Sequence, residues 1–443
     1  MLEGYVGKVR ELLEKNNIDI GDLIQIKDNE TVYEGLLMPR YEIFDPNYIT
    51  LKLSNGYNIG IKYKPDLVIK LVSKYSKSEV KEEFFETEQY EVKKKINLSF
   101  IGTGGTIMSK IDYRTGAVKP SFNVEDLIKL LENYGEEFKI NMIELFKIFS
   151  EDITIQHWKK LAETIYNEFR TGSQGVIIAH GTDTLGYTSA ALSFALQNLP
   201  HPVILVGAQR SLDRPSSDAA LNLKHSLIFS YKSKYSGVYA ILHSTSSDDY
   251  SYVHRGTRVR KMHTSARYAF KSINSYSVAK ISDNEIIYID TEGLLERNAN
   301  RSVELYNNFE EKVFLLKVYP SMNEEIIYFL IERGYKGILI EGTGLGHVPS
   351  RIMDAIKYAI DKGLLVAMSS QCLYGRVNMY VYEKGRLLLK MGVIGTEDMF
   401  PETALVKMMW CLGNAKDIED AKELFLKNIA GEISQRTLYK YEL

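Results

Sequence analysis

The chain has 443 residues, 45% of them hydrophobic and 25% charged, with 31 Gly, 10 Pro and 2 Cys. That profile is globular and long enough for two or three domains with sizeable cores. Its 55 basic and 57 acidic residues leave a net charge of −2, which argues against holding a polyanion by bulk field alone. No run of ~18 apolar residues is present, so no helical membrane span is expected. The start, MLEGYVGKVRELLEKNNIDI, is charged and lacks an apolar signal core, which argues against secretion and for a cytoplasmic protein. Cys372 and Cys411 alone exclude a disulfide scaffold or a Cys-rich zinc site.

In chain order, residues 1–73 read as short β-type runs at Leu23–Ile26, Tyr33–Met38, Ile49–Leu53, Asn58–Ile61 and Leu67–Val72. Turn residues separate them, including Asn55-Gly56, a strong hairpin signal. A small β-barrel-like domain is expected here. Residues 74–95 carry six Lys and six Glu with no Gly or Pro, a charged linker with a solvated face. From residue 96 the pattern changes. Apolar runs INLSFI (96–101), GVIIAH (175–180), PVILVG (202–207), GVYAIL (237–242), FLLKVY (314–319), GILIEG (337–342) and LLVAMSS (364–370) alternate with helix-period segments. Such runs suit strands buried on both faces of a parallel sheet flanked by helices, an α/β fold. A polar stretch near 290–312 divides a large α/β domain (96–300) from a small one (301–443).

Ligands of open parallel sheets bind beyond the carboxyl ends of the strands. Three predicted strand ends carry Gly and small hydroxyl residues: Gly102-Thr103-Gly104-Gly105-Thr106, Gly181-Thr182-Asp183-Thr184 and Gly207-Ala208-Gln209-Arg210. The first is neither a phosphate loop, lacking the Lys-Ser/Thr of that motif, nor a dinucleotide fingerprint. Its glycines are explicable as a tight turn, and Thr182 and Thr184 as caps of the helical run from Leu185 to Leu199. His180 suits a hydrogen-bonded core residue, and His157, His201 and His225 lack ligand spacing, so no metal site is expected. A chemical reading is also open. A threonine hydroxyl becomes nucleophilic when a base removes its proton, Asp183 adjoins one such hydroxyl, and Lys261 lies in the basic loop RGTRVRKMHTSAR (255–267). Backbone N–H groups of the two Gly turns can form an oxyanion hole. These parts suit acyl transfer from an amide to water. The alternative for residues 255–267 is an exposed basic loop or a phosphate-contacting patch.

Thr103-Gly-Gly-Thr-Ile107 and His180-Gly-Thr-Asp-Thr184, in that order, resemble the two signature motifs of the bacterial-type L-asparaginase family. Support continues in GAQRSLDRPSSDAALNL (207–223), the Lys261 loop and MGVIGTEDMFPETALVKMMW (391–410). The resemblance implies two α/β domains and a homodimer whose sites borrow residues from the neighbouring protomer. It also implies Thr103 as nucleophile, with Tyr113 of the closing loop IDYRTGAV as its hydroxyl partner. Thr182, Asp183 and Lys261 follow as a second catalytic group with Lys261 as base relay. Ser150 is implied for the substrate α-carboxylate, and Glu151 and Asp183 for its α-ammonium.

Two departures stand out. The loop GTGLGHV (342–348) lacks an Asn that free asparaginases of this type often carry, and about 95 residues precede the α/β part. Both features resemble the D-subunit family of archaeal glutamyl-tRNA(Gln) amidotransferases. That resemblance implies a glutaminase supplying ammonia to a partner, the amidotransferase E subunit, which converts Glu-tRNA(Gln) to Gln-tRNA(Gln) with ATP. No cofactor is then expected on this chain, ATP and Mg belong to the partner, and the homodimer sits within a heterotetramer. A free-standing asparaginase with an accessory domain, or a silent scaffold protein, are the competing readings.

Overall fold

A computed structural model describes the chain apart from residues 1, 3, 30, 40–44, 55–57, 75–95, 105–108, 112–117, 121–137, 211–215, 283–284 and 438–443. Tyr113, the Asn55-Gly56 turn and nearly all of the charged linker lie outside the described residues.

The first unit is a five-stranded antiparallel sheet. In spatial order its strands are Asn58–Lys62, Tyr48–Leu53, Thr31–Leu37, Leu23–Asp28 and Val68–Ser73. All five β-type runs become strands. A helix at Gly7–Lys15, which the strand pattern did not anticipate, buries Val9 and Leu13 one turn apart. These join Ile24, Ile26, Leu37, Ile49, Leu51 and Ile69 in a core of their own. Tyr5 ties the helix side to the sheet: its hydroxyl donates to Met38 O at 2.8 Å and accepts from Thr50 N at 3.1 Å.

The second unit is built on a large mixed sheet. Five parallel strands run in the order Tyr235–His243, Pro202–Val206, Val176–Ala179, Ile96–Gly104 and Phe138–Ile148. Ser251–Arg255, Ala279–Ser282 and Glu285–Tyr288 extend it antiparallel on the Tyr235 side. The central strand Val176–Ala179 is buried throughout, as its unbroken apolar run requires. Phe138–Ile148 was not among the expected strands. Its polar–apolar mixture, FKINMIELFKI, is that of an edge strand, which a search for continuous apolar runs passes over.

The third unit is a four-stranded parallel sheet: Val313–Lys317, Gly337–Gly342, Leu365–Ser370 and Ile394–Gly395. The two α/β units are not separately packed. The helix Leu185–Ala195 is almost wholly buried, and one hydrophobic core runs from Ile101, Ile178 and Leu192 of the second unit to Leu339, Met408 and Phe425 of the third. Phe194 and Trp410 meet across it with ring centroids 5.9 Å apart. A helix apolar all round belongs inside such a core. No helix among the described residues is long and apolar enough to cross a membrane.

Candidate active site

Three neighbouring strands of the large sheet end at one edge, and the residues beyond them converge there. Thr103 lies on Ile96–Gly104, one residue past Gly102, which is in register with Ala179. It is 2% exposed, and its hydroxyl donates to Ala179 O at 2.9 Å. Gly104 follows with φ +98°, and a Cβ there would lie 2.3 Å from Ile148 O. Only glycine permits both this conformation and the approach to Phe138–Ile148. Ser150, just beyond that strand, is buried within the short 3-10 turn Ser150–Asp152. A Cβ at Gly181 would lie 2.7 Å from the Ser150 Cβ, so the two loops touch.

The loop after Val176–Ala179 carries the chemistry. Thr182 is 7% exposed. Lys261 Nζ donates to Thr182 Oγ1 at 2.9 Å and to Asp183 Oδ1 at 2.6 Å. The side chain of Lys261 is 14% exposed, that of Asp183 65%. The ammonium is therefore held largely out of water, whereas the carboxylate faces outward and is free to meet a ligand. Lys261 ends a three-residue strand, Val259–Lys261, paired antiparallel with Phe270–Ser272. Neither threonine caps the next helix with its side chain. Thr184 is the N-cap residue without a side-chain cap bond, and its hydroxyl instead donates to Ser150 O at 2.6 Å. That bond draws the Ser150 and Thr182 loops together.

The structure thus gathers Thr103, Ser150, Thr182, Asp183 and Lys261 at one sheet edge. Glu151 is exposed on the same turn as Ser150. Tyr113 lies outside the described residues, as does the Gly105–Met108 part of the first Gly turn; the flanking segments Ser109–Ile111 and Val118–Pro120 pair antiparallel.

The basic loop is not a free phosphate-contacting patch, because its arginines turn inward. Arg255 donates to Glu292 O, Arg258 pairs with Asp398, Arg260 with Glu402, and Arg267 with Asp248. The histidines are structural in the same sense. His180 is fully buried against Gly181 O, and burial pushes its pKa down to about 4. Burial, and then the neighbouring Arg297, push His201 down to about 4. His157 closes the N-terminus of the helix Ile155–Arg170 through Thr154, and His225 contacts Ser251. Among the described residues no group of three His, Cys, Asp or Glu side chains is arranged to hold a metal.

Sequence reasoning missed two supports of this edge. Asp218 accepts hydrogen bonds from Gln209 N and Arg210 N at 3.0 Å and so fixes the third Gly loop. Its position just before the helix Ala219–Lys232 was the available signal. Arg258 and Arg260, at alternate positions of a β-type segment, reach the third unit; that alternation was legible but read only as local positive charge.

A parallel sheet whose Gly-Thr turns meet a Lys–Thr–Asp cluster, followed by a second small parallel sheet, is the asparaginase class of α/β protein. Residues 97–292 match the family "Asparaginase, N-terminal", residues 312–425 the "Glutaminase/Asparaginase C-terminal domain" and residues 18–72 the "GatD N-terminal domain". Among solved structures the chain is similar to the thermostable L-asparaginase from Thermococcus kodakarensis, with a TM-score of 0.69 and 32% identity over 77% of this chain and 100% of that one. It is also similar to L-asparaginase I from Vibrio cholerae, with a TM-score of 0.67, 25% identity and the same coverage.

The full length resembles other proteins more. The D subunit of glutamyl-tRNA(Gln) amidotransferase from Pyrococcus furiosus is 48% identical over 97% of this chain and 98% of its own length. Its counterpart from Metallosphaera sedula is 45% identical over 98% and 97%. The chain belongs to the D-subunit family of glutamyl-tRNA(Gln) amidotransferases.

Proposed function

We propose that this chain hydrolyses the side-chain amide of glutamine and hands the ammonia to a partner. The partner, the amidotransferase E subunit, uses ATP and Mg to activate the glutamate of Glu-tRNA(Gln) and aminates it to Gln-tRNA(Gln). The observation that carries the reading is the Lys261–Thr182–Asp183 contact, set beside Thr103 at the carboxyl edge of the sheet.

In this reading Thr103 Oγ attacks the amide carbon, with Tyr113 as its hydroxyl partner. The C–N bond breaks, ammonia leaves with the proton, and water then releases glutamate from the Thr103 ester. Ser150 holds the substrate α-carboxylate, and Glu151 and Asp183 its α-ammonium, two carboxylates against one cation. Lys261, in contact with Thr182 and Asp183, serves as the base relay. No cofactor is required on this chain.

The working assembly is a cytoplasmic homodimer within a heterotetramer, with the N-terminal sheet unit as the partner-docking or tRNA-facing piece. The test is amide hydrolysis by the purified chain with and without its partner and Glu-tRNA. Glutaminase activity dependent on both is the expected result. Fast unaided turnover of asparagine supports a free-standing asparaginase instead.

A further inference from the structure

Lys261 sits on a ribbon too short to fix its own place. The strand Val259–Lys261 has only three register pairs with Phe270–Ser272, and an isolated two-stranded ribbon is marginal in water. Its position is set by what grips it on either side. Successive residues of a strand point to opposite faces, and the segment 258–261 divides its contacts accordingly.

The odd positions face the second unit. Val259 is buried, and the strand lies so close to the helix Leu185–Ala195 that a Cβ at Gly186 would be 2.9 Å from Val259 O. Lys261 reaches Thr182 and Asp183, the loop that leads into that same helix.

The even positions face the third unit. Arg258 is fully buried, pairs with Asp398 Oδ2 at 3.0 Å, and donates to Gly431 O and Ser434 Oγ. Arg260 Nε donates to Glu402 Oε1 at 2.7 Å, and Glu402 lies in the first turn of the helix Pro401–Asn414. A carboxylate there is also favoured by the helix dipole. Thr403 reinforces the tether, its hydroxyl donating to Thr257 O at 2.9 Å.

These two ion pairs divide the work. The buried Arg258–Asp398 pair, with the shared core, already holds the units together. The Arg260–Glu402 pair is itself mostly buried, its side chains 31% and 16% exposed, so each charge depends on the other for its partner. It acts on the residue adjoining Lys261, whose long side chain has many rotamers and needs a fixed backbone to aim from. We infer that Arg260 and Glu402 are positioning residues for Lys261, an ion pair through which the third unit sets the lysine ammonium against Thr182 and Asp183. The inference rests on the proposed role of Lys261 in amide hydrolysis.

The experiment compares the full-length chain, assembled with its partner, with Glu402→Gln, Arg260→Met, Glu402→Asp, Arg260→Lys and Lys261→Met, measuring kcat and KM for glutamine and the thermal midpoint. The expected result is a fall in kcat on the order of tenfold for Glu402→Gln and Arg260→Met, since small misplacements of a reacting group are costly. KM should stay within roughly twofold, and the fall in kcat, measured well below the midpoint of every variant, should not scale with the drop in midpoint that loss of a partly buried pair brings. The charge-keeping variants Glu402→Asp and Arg260→Lys should recover part of the lost kcat. Wild-type kcat in Glu402→Gln and Arg260→Met overturns the inference. So does a loss of kcat that tracks the thermal midpoint and is not recovered by Glu402→Asp or Arg260→Lys, which is the signature of a purely structural pair. If the unaltered assembly hydrolyses no glutamine, or Lys261→Met matches it, the functional reading itself fails and this inference with it.

Discussion

Two sheets in this molecule have a parallel strand that ends in a Gly-Thr turn, and only one of the turns assembles a polar cluster. In the large sheet Thr182 follows Gly181, and its hydroxyl is bound by the Lys261 ammonium, which also holds Asp183. In the small sheet Thr343 follows Gly342, and its hydroxyl meets only the backbone of its own loop, His347 O at 3.4 Å. The next strand end repeats the contrast: Ser370 Oγ donates to Gly344 O at 2.6 Å and accepts from Cys372 N. A hydroxyl engaged by local backbone stabilises a turn. One engaged by an ammonium delivered from a hairpin 79 residues away becomes part of a polar cluster instead. The motif is the same in kind; the delivered side chain makes the difference.

The comparison breaks most visibly through its strongest element. Thr103→Val should abolish amide turnover with the fold intact, as read by glutamate release and circular dichroism, and Lys261→Met should lower kcat on the order of a thousandfold. Full-rate turnover in either removes the large-sheet edge as the reaction site. Asp183→Asn should both raise KM and slow kcat, each on the order of tenfold, because it is assigned to binding and to holding the lysine. A change in rate alone contradicts the binding role.

A smaller effect follows from two buried histidines of the large-sheet unit. His180 and His201 titrate near pH 4 in the folded protein, below the ordinary 6.5, because burial disfavours the charged ring. The unfolded chain therefore binds more protons between about pH 6.5 and pH 4, and stability falls as pH drops through that window. His180 alone contributes roughly 3 kcal/mol at full extent. Urea midpoints measured from pH 7.5 to pH 4.5 should decline accordingly, and a flat profile shows that His180 is not buried neutral. Least of all, Thr343→Val at the small-sheet edge should change turnover less than twofold and stability by about 1 kcal/mol or less. A large loss of kcat there erases the distinction between the two edges.

Much of this was legible beforehand. All seven apolar runs from 96 to 370 became strands because central parallel strands are buried on both faces and show it residue by residue. The Gly-hydroxyl strand ends, and with them Thr103, Thr182 and Asp183, were visible for the same reason. The edge strand Phe138–Ile148 was not, since its half-exposed face breaks the run. The arginines of residues 255–267 read as surface charge because a sequence does not show which cations find a partner elsewhere in the fold.

The sequence by itself determined where the central parallel strands lie, which of their ends carry glycine and hydroxyls, and which family the motifs resemble. These are local properties, set by periodicity and by the few residues that tolerate a tight turn. Only the tertiary structure decided that Lys261 grips Thr182 and Asp183, that Thr184 draws the Ser150 loop inward rather than capping its helix, and that the two α/β units share one core. Each of those depends on residues distant in the chain meeting at bonding distance, and such meetings are fixed by packing, which no short window of sequence contains.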